Sequence, residues 1–185
     1  CRAGKHQSAG GQSLCESCEA GKYGTTIGSS SGGADCIACG AGKYVAAAGS
    51  DKASDCVACR AGTYQSSSGA SACIECSAGQ YAAGEGSTSI DNCTACPAGK
   101  HQSAGGQSLC ESCEAGKYGT TIGSSSGGAD CIACGAGKYV AVAGSDKASD
   151  CVVCRAGTYQ PSSGASACIE CSAGRYAAGE GSTTA

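Results

Sequence analysis

The sequence predicts small disulfide-rich repeats: an elongated, solenoid-like rod of loop and turn modules with minimal β structure and no significant helix. Three observations carry that expectation. Cysteine accounts for 19 of 185 residues, a density at which a chain reads as a disulfide scaffold. Phe, Trp and Met are absent and there are only 8 Tyr, so the material for one shared hydrophobic core is missing. And a single phrase, Cys36-Ile37-Ala38-Cys39-Gly40-Ala41-Gly42-Lys43-Tyr44, recurs with spacers along nearly the whole chain.

The cysteines that open successive modules are Cys1, Cys18, Cys39, Cys59, Cys76 and Cys96, at intervals of 17, 21, 20, 17 and 20 residues, and from Cys96 the series restarts. Five modules therefore form a 95-residue unit. Residues 1–95 are the first unit and 96–185 a second, truncated copy; residues 1–90 and 96–185 align without a gap and differ at seven positions, such as Arg2 against Pro97 and Ser66 against Pro161. The chain reads as a window of a longer protein.

Each module opens with Cys-x-Ala-Gly-x-ring, where the glycine suits a turn that needs positive φ and the ring follows two residues later. The rings are His6, Tyr23, Tyr44, Tyr64, Tyr81, His101, Tyr118, Tyr139, Tyr159 and Tyr176. With no other large side chains available, they are expected to stack between modules and to supply most of the apolar contact. After the ring comes a spacer such as residues 24–33, rich in Gly, Ser and Thr, which reads as an exposed loop. Neither helical nor strand periodicity persists, so turns, coil and two-residue β-bridges are expected. Ordering a module of ~20 residues costs on the order of 20–30 kcal/mol, against about 3 returned by one disulfide closing a loop of about 15 residues. Stacking on adjacent modules is expected to provide much of the rest.

The cysteines imply an oxidising, extracellular or cell-surface location. Two chemistries fit their spacing. Cys15-x2-Cys18-x17-Cys36-x2-Cys39 falls within the window of a four-cysteine zinc site. A disulfide ladder instead treats every Cys-x-x-Cys alike, pairing Cys1 with Cys15, Cys18 with Cys36, Cys39 with Cys56, Cys59 with Cys73, Cys76 with Cys93, Cys96 with Cys110, Cys113 with Cys131, Cys134 with Cys151 and Cys154 with Cys168, and leaving Cys171 unpaired in this window. The ladder is favoured, with no metal and no cofactor. A redox-active Cys-x-x-Cys would need a helix start and a βαβ frame, and neither pattern is present.

Catalysis finds no constellation. His6 and His101 are copies of one another at a ring position, which reads as stacking or surface, and Asp35, Asp51, Asp55 and Glu75 repeat with the modules instead of converging. Asn92-Cys93-Thr94 is an N-glycosylation sequon around the only asparagine, Asn92, and the runs Thr25–Ser31, Ser66–Ser68 and Ser87–Ser89 are candidates for O-linked sugars. The 12 basic and 15 acidic side chains give a net charge of −3 with no basic stripe, which argues against nucleic acid as a partner. No apolar run approaches the length of a membrane span.

The phrase Cys-x-x-Cys-x-Ala-Gly-x-Tyr resembles the ephrin-receptor-like cysteine-rich repeat, and is similar to the first half-module of tumour necrosis factor receptor ectodomains. That resemblance implies a small loop closed by a disulfide between its first two cysteines, which agrees with Cys1–Cys15 and Cys96–Cys110. Cysteine-periodic arrays of similar kind occur in protist surface proteins, including ciliate immobilisation antigens and flagellar-hair (mastigoneme) proteins. The reading that follows is a structural, non-enzymatic extracellular protein, a disulfide-stapled rod in a fibre or cell-surface appendage. Its expected partners are copies of itself or other fibre and surface proteins, with glycans. The alternative is the stalk or ligand-binding ectodomain of a receptor or surface antigen.

Overall fold

Three positions in each module belong to the backbone before they belong to any side chain. Counting from the opening cysteine, the third residue on is the glycine of Cys-x-Ala-Gly, the sixth follows the ring, and the tenth is again glycine, as in Gly28 after Cys18, Gly49 after Cys39 and Gly69 after Cys59. The structure, a computed structural model, describes residues 1–9, 13–31 and 33–185. It forms two compact units, one of Cys1–Ser77, Tyr81–Thr94 and Gly106–Ser108, the other of Ala78–Gln80, Ala95–Gly105 and Leu109–Ala185.

Within a unit, one module is joined to the next by four backbone hydrogen bonds that use those positions. Between the modules opened by Cys39 and Cys59, Gly42 N–H donates to Gln65 O (2.7 Å), Val45 N–H to Ala70 O (3.3 Å), Gly69 N–H to Cys39 O (2.8 Å) and Cys59 N–H to Gly42 O (2.8 Å). The equivalent four recur in the first unit from Cys1 to Cys18, Cys18 to Cys39 and Cys59 to Cys76, and in the second from Cys96 through Cys113, Cys134, Cys154 and Cys171. All four fall within the first twelve residues of a module. Variation in spacer length comes after them and leaves the junction untouched.

Inside the module, a pair of two-residue strands closes the disulfide loop. Lys22–Tyr23 pairs antiparallel with Ile37–Ala38, Lys43–Tyr44 with Val57–Ala58, and Thr63–Tyr64 with Ile74–Glu75, with counterparts such as Lys117–Tyr118 with Ile132–Ala133 in the second unit. Strands this short have no independent stability, so the covalent loop and the junction bonds must hold them. Among the described residues there are also single 3₁₀ turns at Ala53–Asp55, Ile90–Asn92 and Ala148–Asp150, and isolated bridges such as Tyr23 with Ser50 and Tyr64 with Ser87.

The sixth residue tracks the length of the loop. Where the disulfide spans 14 residues it is glutamine, where it spans 17 it is Val45, Ala82 or Val140, and where it spans 18 it is Gly24 or Gly119. Each length has its own closure. The buried Gln65 donates from Nε2 to Ala72 O (2.8 Å) and accepts from Ser67 N–H (3.0 Å), a bridge that Gln102 and Gln160 repeat. The 17-residue loops use the 3₁₀ turn, with Asp55, Asn92 or Asp150 accepting from backbone N–H groups at its start. The 18-residue loops use a hydroxyl–carboxylate bond, Ser29 to Asp35 and Ser124 to Asp130, both 2.7 Å.

Contacts also reach past the adjacent module. The opening glycine of a module faces the tenth-position glycine two modules on: Gly4 faces Gly49, Gly21 Gly69, Gly42 Gly86 and Gly62 Gly106 in the first unit, with four such pairs in the second. A Cβ on Gly62 would lie 2.2 Å from Gly106 O, so the carbonyl occupies the space that a side chain would take. Only a residue without Cβ permits that approach, which has the form of a Cα–H···O contact.

The core is also distributed differently from the expectation. The side chains that are almost wholly enclosed are the opening half-cystines, including Cys18, Cys39, Cys59, Cys96, Cys113, Cys134 and Cys154, with Cys59 at 0% exposure. The rings at the fifth position, from His6 through Tyr159, are half-buried. The reason is geometric: the inward positions are the cysteine itself and the third and sixth residues, and the ring stands one residue off that column. In spacer 24–33 Thr25, Thr26 and Ile27 are exposed, Ser29 is buried, and Gly32 lies outside the described residues.

Candidate functional site

The chemistry this chain presents is a series of disulfides with a hairpin face beside each. The bridges are Cys1–Cys15, Cys18–Cys36, Cys39–Cys56, Cys59–Cys73, Cys76–Cys93, Cys96–Cys110, Cys113–Cys131, Cys134–Cys151 and Cys154–Cys168. Their Cα–Cα distances run from 5.5 to 5.8 Å, the range of an ordinary bridge. Cys171 has no partner cysteine among the described residues. The four sulfurs of the zinc-like spacing, Cys15, Cys18, Cys36 and Cys39, belong to three different bridges. Among the described residues, no three His, Cys, Asp or Glu side chains are gathered as a metal ion would need.

In the bridges opened by Cys18, Cys39, Cys59, Cys96, Cys113, Cys134 and Cys154 the opening cysteine is buried while its partner at the end of the loop sits nearer the surface, as Cys59 does against Cys73; in Cys76–Cys93 both are buried, and in Cys1–Cys15 both are intermediate. In six of the nine bridges an aliphatic residue stands directly after the partner that closes the loop and lies opposite the ring across the hairpin, giving Tyr23 with Ile37, Tyr44 with Val57 and Tyr64 with Ile74, and in the second unit Tyr118 with Ile132, Tyr139 with Val152 and Tyr159 with Ile169. The aliphatic member is about half exposed in every pair. Such cross-strand pairs contribute roughly 0.2–1 kcal/mol each. Tyr64 also packs on the following bridge, against Cys76, Ala82 and Cys93.

Two open hollows occupy equivalent places in the two units. One, of about 290 Å³, is lined by Tyr44, Val57, Arg60, Thr63 and Glu75; the other, of about 450 Å³, by Tyr139, Val152, Arg155, Thr158 and Glu170. In the first, Arg60 donates to Glu75 Oε1 (3.0 Å) and to Gly106 O (3.0 Å). The Arg60–Glu75 pair is solvent-exposed and adds less than about 1 kcal/mol. The other carboxylates remain distributed: Asp35 and Asp55 cap their own loops, and Asp51 contacts Lys52 at 4.0 Å.

His6 and His101 lie opposite Glu16 and Glu111 across their hairpins. Asn92 is exposed, its Oδ1 accepting from Ser89 N–H (3.1 Å), while Cys93 of the same sequon is in its bridge to Cys76. Of the Ser/Thr runs, Ser66–Ser68 are exposed, and Ser29 is turned inward. The residues that sequence reasoning missed are the sixth and tenth positions of each module. The signal for the tenth was present, since a glycine stands there in every spacer whatever its length.

Residues 48–93, 90–128 and 145–185 match the family described as tyrosine-protein kinase ephrin type A/B receptor-like, and together they cover more than half of the chain. The chain belongs to this ephrin-receptor-like family of cysteine-rich repeats. No curated protein matches the chain. Repeats of this family point to a non-catalytic extracellular domain, receptor-like or structural, and no helix among the described residues is long and apolar enough to cross a membrane.

The connectivity has a direct check. Non-reducing peptide mapping should recover Cys18 linked to Cys36 and Cys39 linked to Cys56; a Cys18–Cys39 peptide as the main product, or stoichiometric zinc, would refute the ladder.

Proposed function

We propose that this chain is a structural segment of an extracellular fibre or cell-surface appendage, built to associate with copies of itself or with other surface proteins. The observation that supports this most is repetition at two levels. The same four backbone bonds recur from module to module, and the 95-residue order of loop lengths is reproduced with only seven substitutions over residues 1–90 against 96–185. A receptor contact is concentrated in a differentiated patch, whereas fibre contacts recur and favour identical surfaces at a fixed period. On this reading the repeating element is the five-module unit, 1–95 and then 96–185, the rings stack between modules, and exposed Asn92 and the Ser/Thr runs carry sugars.

The family match supports a second reading, a stalk or ligand-binding ectodomain of a cell-surface receptor or antigen. Electron microscopy of native material separates the two. Long regular fibres are expected; isolated projections on a membrane would replace the fibre with the stalk.

A further inference from the structure

Three modules close a disulfide loop of 17 residues over a single 3₁₀ turn, and one of the three departs from the others at two positions. The last residue of the turn is Asp55 and Asp150 in the modules opened by Cys39 and Cys134, but Asn92 in the module opened by Cys76. The residue after the closing cysteine is Val57 and Val152 in the first two, but Thr94 in the third. Neither change improves the fold. Asp55 accepts from the N–H groups of Asp51 (3.2 Å) and Lys52 (3.3 Å), and Asp150 from those of Asp146 (3.2 Å) and Lys147 (3.2 Å), whereas Asn92 Oδ1 accepts from Ser89 N–H (3.1 Å). A carboxylate is also the stronger acceptor. Thr94 is exposed, and it gives up the aliphatic side chain that Val57 sets opposite Tyr44 in its own hairpin. Together the two changes make Asn92-Cys93-Thr94 an acceptor for an N-linked sugar, and neither serves that purpose without the other.

We propose that Asn92 takes its sugar while the module is still open, and that closure of Cys76–Cys93 ends its life as an acceptor. This rests on the reading above for the presence of a sugar at Asn92, and it holds equally for a fibre and for a stalk. In the closed module the acceptor segment is held along its length. Asn92 N–H donates to Ser89 O (3.1 Å) and Cys93 N–H to Ile90 O (2.9 Å). Cys93 is 8% exposed, clustered with Cys76 and Ala82, and Thr94 begins a strand. A transferase has to reach the Asn92 amide and the Thr94 hydroxyl together, from a peptide free on both sides, and here the residue between them is buried in its bridge.

The timescales allow this order. A chain is made at about 5–20 residues per second, whereas disulfides form over seconds to hours, so the sequon enters the compartment as open chain. Transfer forms a bond from the anomeric carbon of the sugar to Asn92 Nδ2. It breaks that carbon's bond to the oxygen of a lipid-linked diphosphate, which leaves with the amide proton. Closure then passes two electrons and two protons from the thiols of Cys76 and Cys93 to a disulfide donor of the oxidising compartment. The sugar does not obstruct closure, because Oδ1, which caps the turn, is not the atom modified, and Asn92 is exposed.

The test uses the whole chain, made in a host that lacks the transferase. Purified transferase with its lipid-linked donor should modify the reduced chain at least about tenfold faster than the oxidised chain, with a short sequon peptide in the same reductant as the control for the enzyme. D55N V57T should add a second acceptor to the reduced chain, and D55N alone should add none. N92D copies the cap of the other two turns, so it should abolish transfer while the oxidised chain keeps its amide protection at Cys93. Equal rates for the oxidised and reduced chains would overturn the order of events, and no transfer to either would remove the site. Loss of protection at Cys93 in N92D would show that the asparagine serves the fold, and the inference would fall with it.

Discussion

Replacing Gly62 with alanine should destabilise three consecutive modules by about 2–4 kcal/mol, far more than a surface glycine-to-alanine change elsewhere in the same chain. Gly62 has φ +85, where an L side chain is strained, and its Cβ would lie 2.2 Å from Gly106 O, 2.3 Å from Gly106 C and 2.7 Å from Gln107 N. All three are backbone atoms, so no side chain can swing aside to make room. Moving residues 106–107 away pulls on Gly106 N–H to Cys76 O (2.9 Å), and moving Gly62 instead strains both Gly62 N–H to Ala82 O and Cys76 N–H to Gly62 O. Gly40 is the matched control, since nothing lies within 4 Å of its Cβ position and its φ is not positive. Native-state hydrogen exchange should show G62A losing protection at the amides of Cys76, Ala82 and Gly106 while Cys154 keeps its own, and G40A should leave all four unchanged. Equal behaviour of the two variants would remove the second-neighbour contact from the account of the fold.

That contact marks where reading the sequence stops being sufficient. Cysteine spacing is legible because closing a loop of 14 to 18 residues is a local event, and the bridges of the structure join consecutive cysteines. The glycine of Cys-x-Ala-Gly is legible as a turn residue for the same reason. Its further role beneath a carbonyl two modules away is not, because no pattern within one module encodes the distance to another. The tenth-position glycine hid inside a spacer whose low complexity reads as loop, although it alone stays at a fixed distance from the cysteine. The sixth position was invisible to hydrophobic patterning for a different reason. It is Gln, Val, Ala or Gly by turns, and it is buried because the backbone column carries it inward; its polar forms satisfy themselves by bridging their own loop. The rings were expected from composition to supply most of the apolar contact; the most enclosed side chains are the half-cystines, whose spacing reads only as cross-linking.

Removing one bridge therefore takes away packing as well as a cross-link. The variant C59A C73A opens the loop of module 4, in which Cys59 is 0% exposed and makes backbone bonds to Gly42 O (2.8 Å) and from Gly86 N–H (2.7 Å). Freeing a loop of 14 residues costs about 3 kcal/mol in the chain-entropy view, and the lost sulfur contacts in a closed column add to it, so a total of about 3–5 kcal/mol is expected. By comparison, removing the exposed Arg60–Glu75 pair from the same module should cost less than about 1 kcal/mol. The loss should also be graded along the chain. Modules opened by Cys39, Cys59 and Cys76 share junction bonds with the damaged loop and should lose amide protection together, whereas those opened by Cys134 and Cys154 share none and should keep theirs. Denaturant unfolding combined with residue-resolved exchange reads both quantities. A loss below about 1 kcal/mol would mean that the enclosed sulfurs are not the core. Simultaneous collapse of protection at Cys154 would mean that the array unfolds as one body, with stability that cannot be assigned to neighbouring modules.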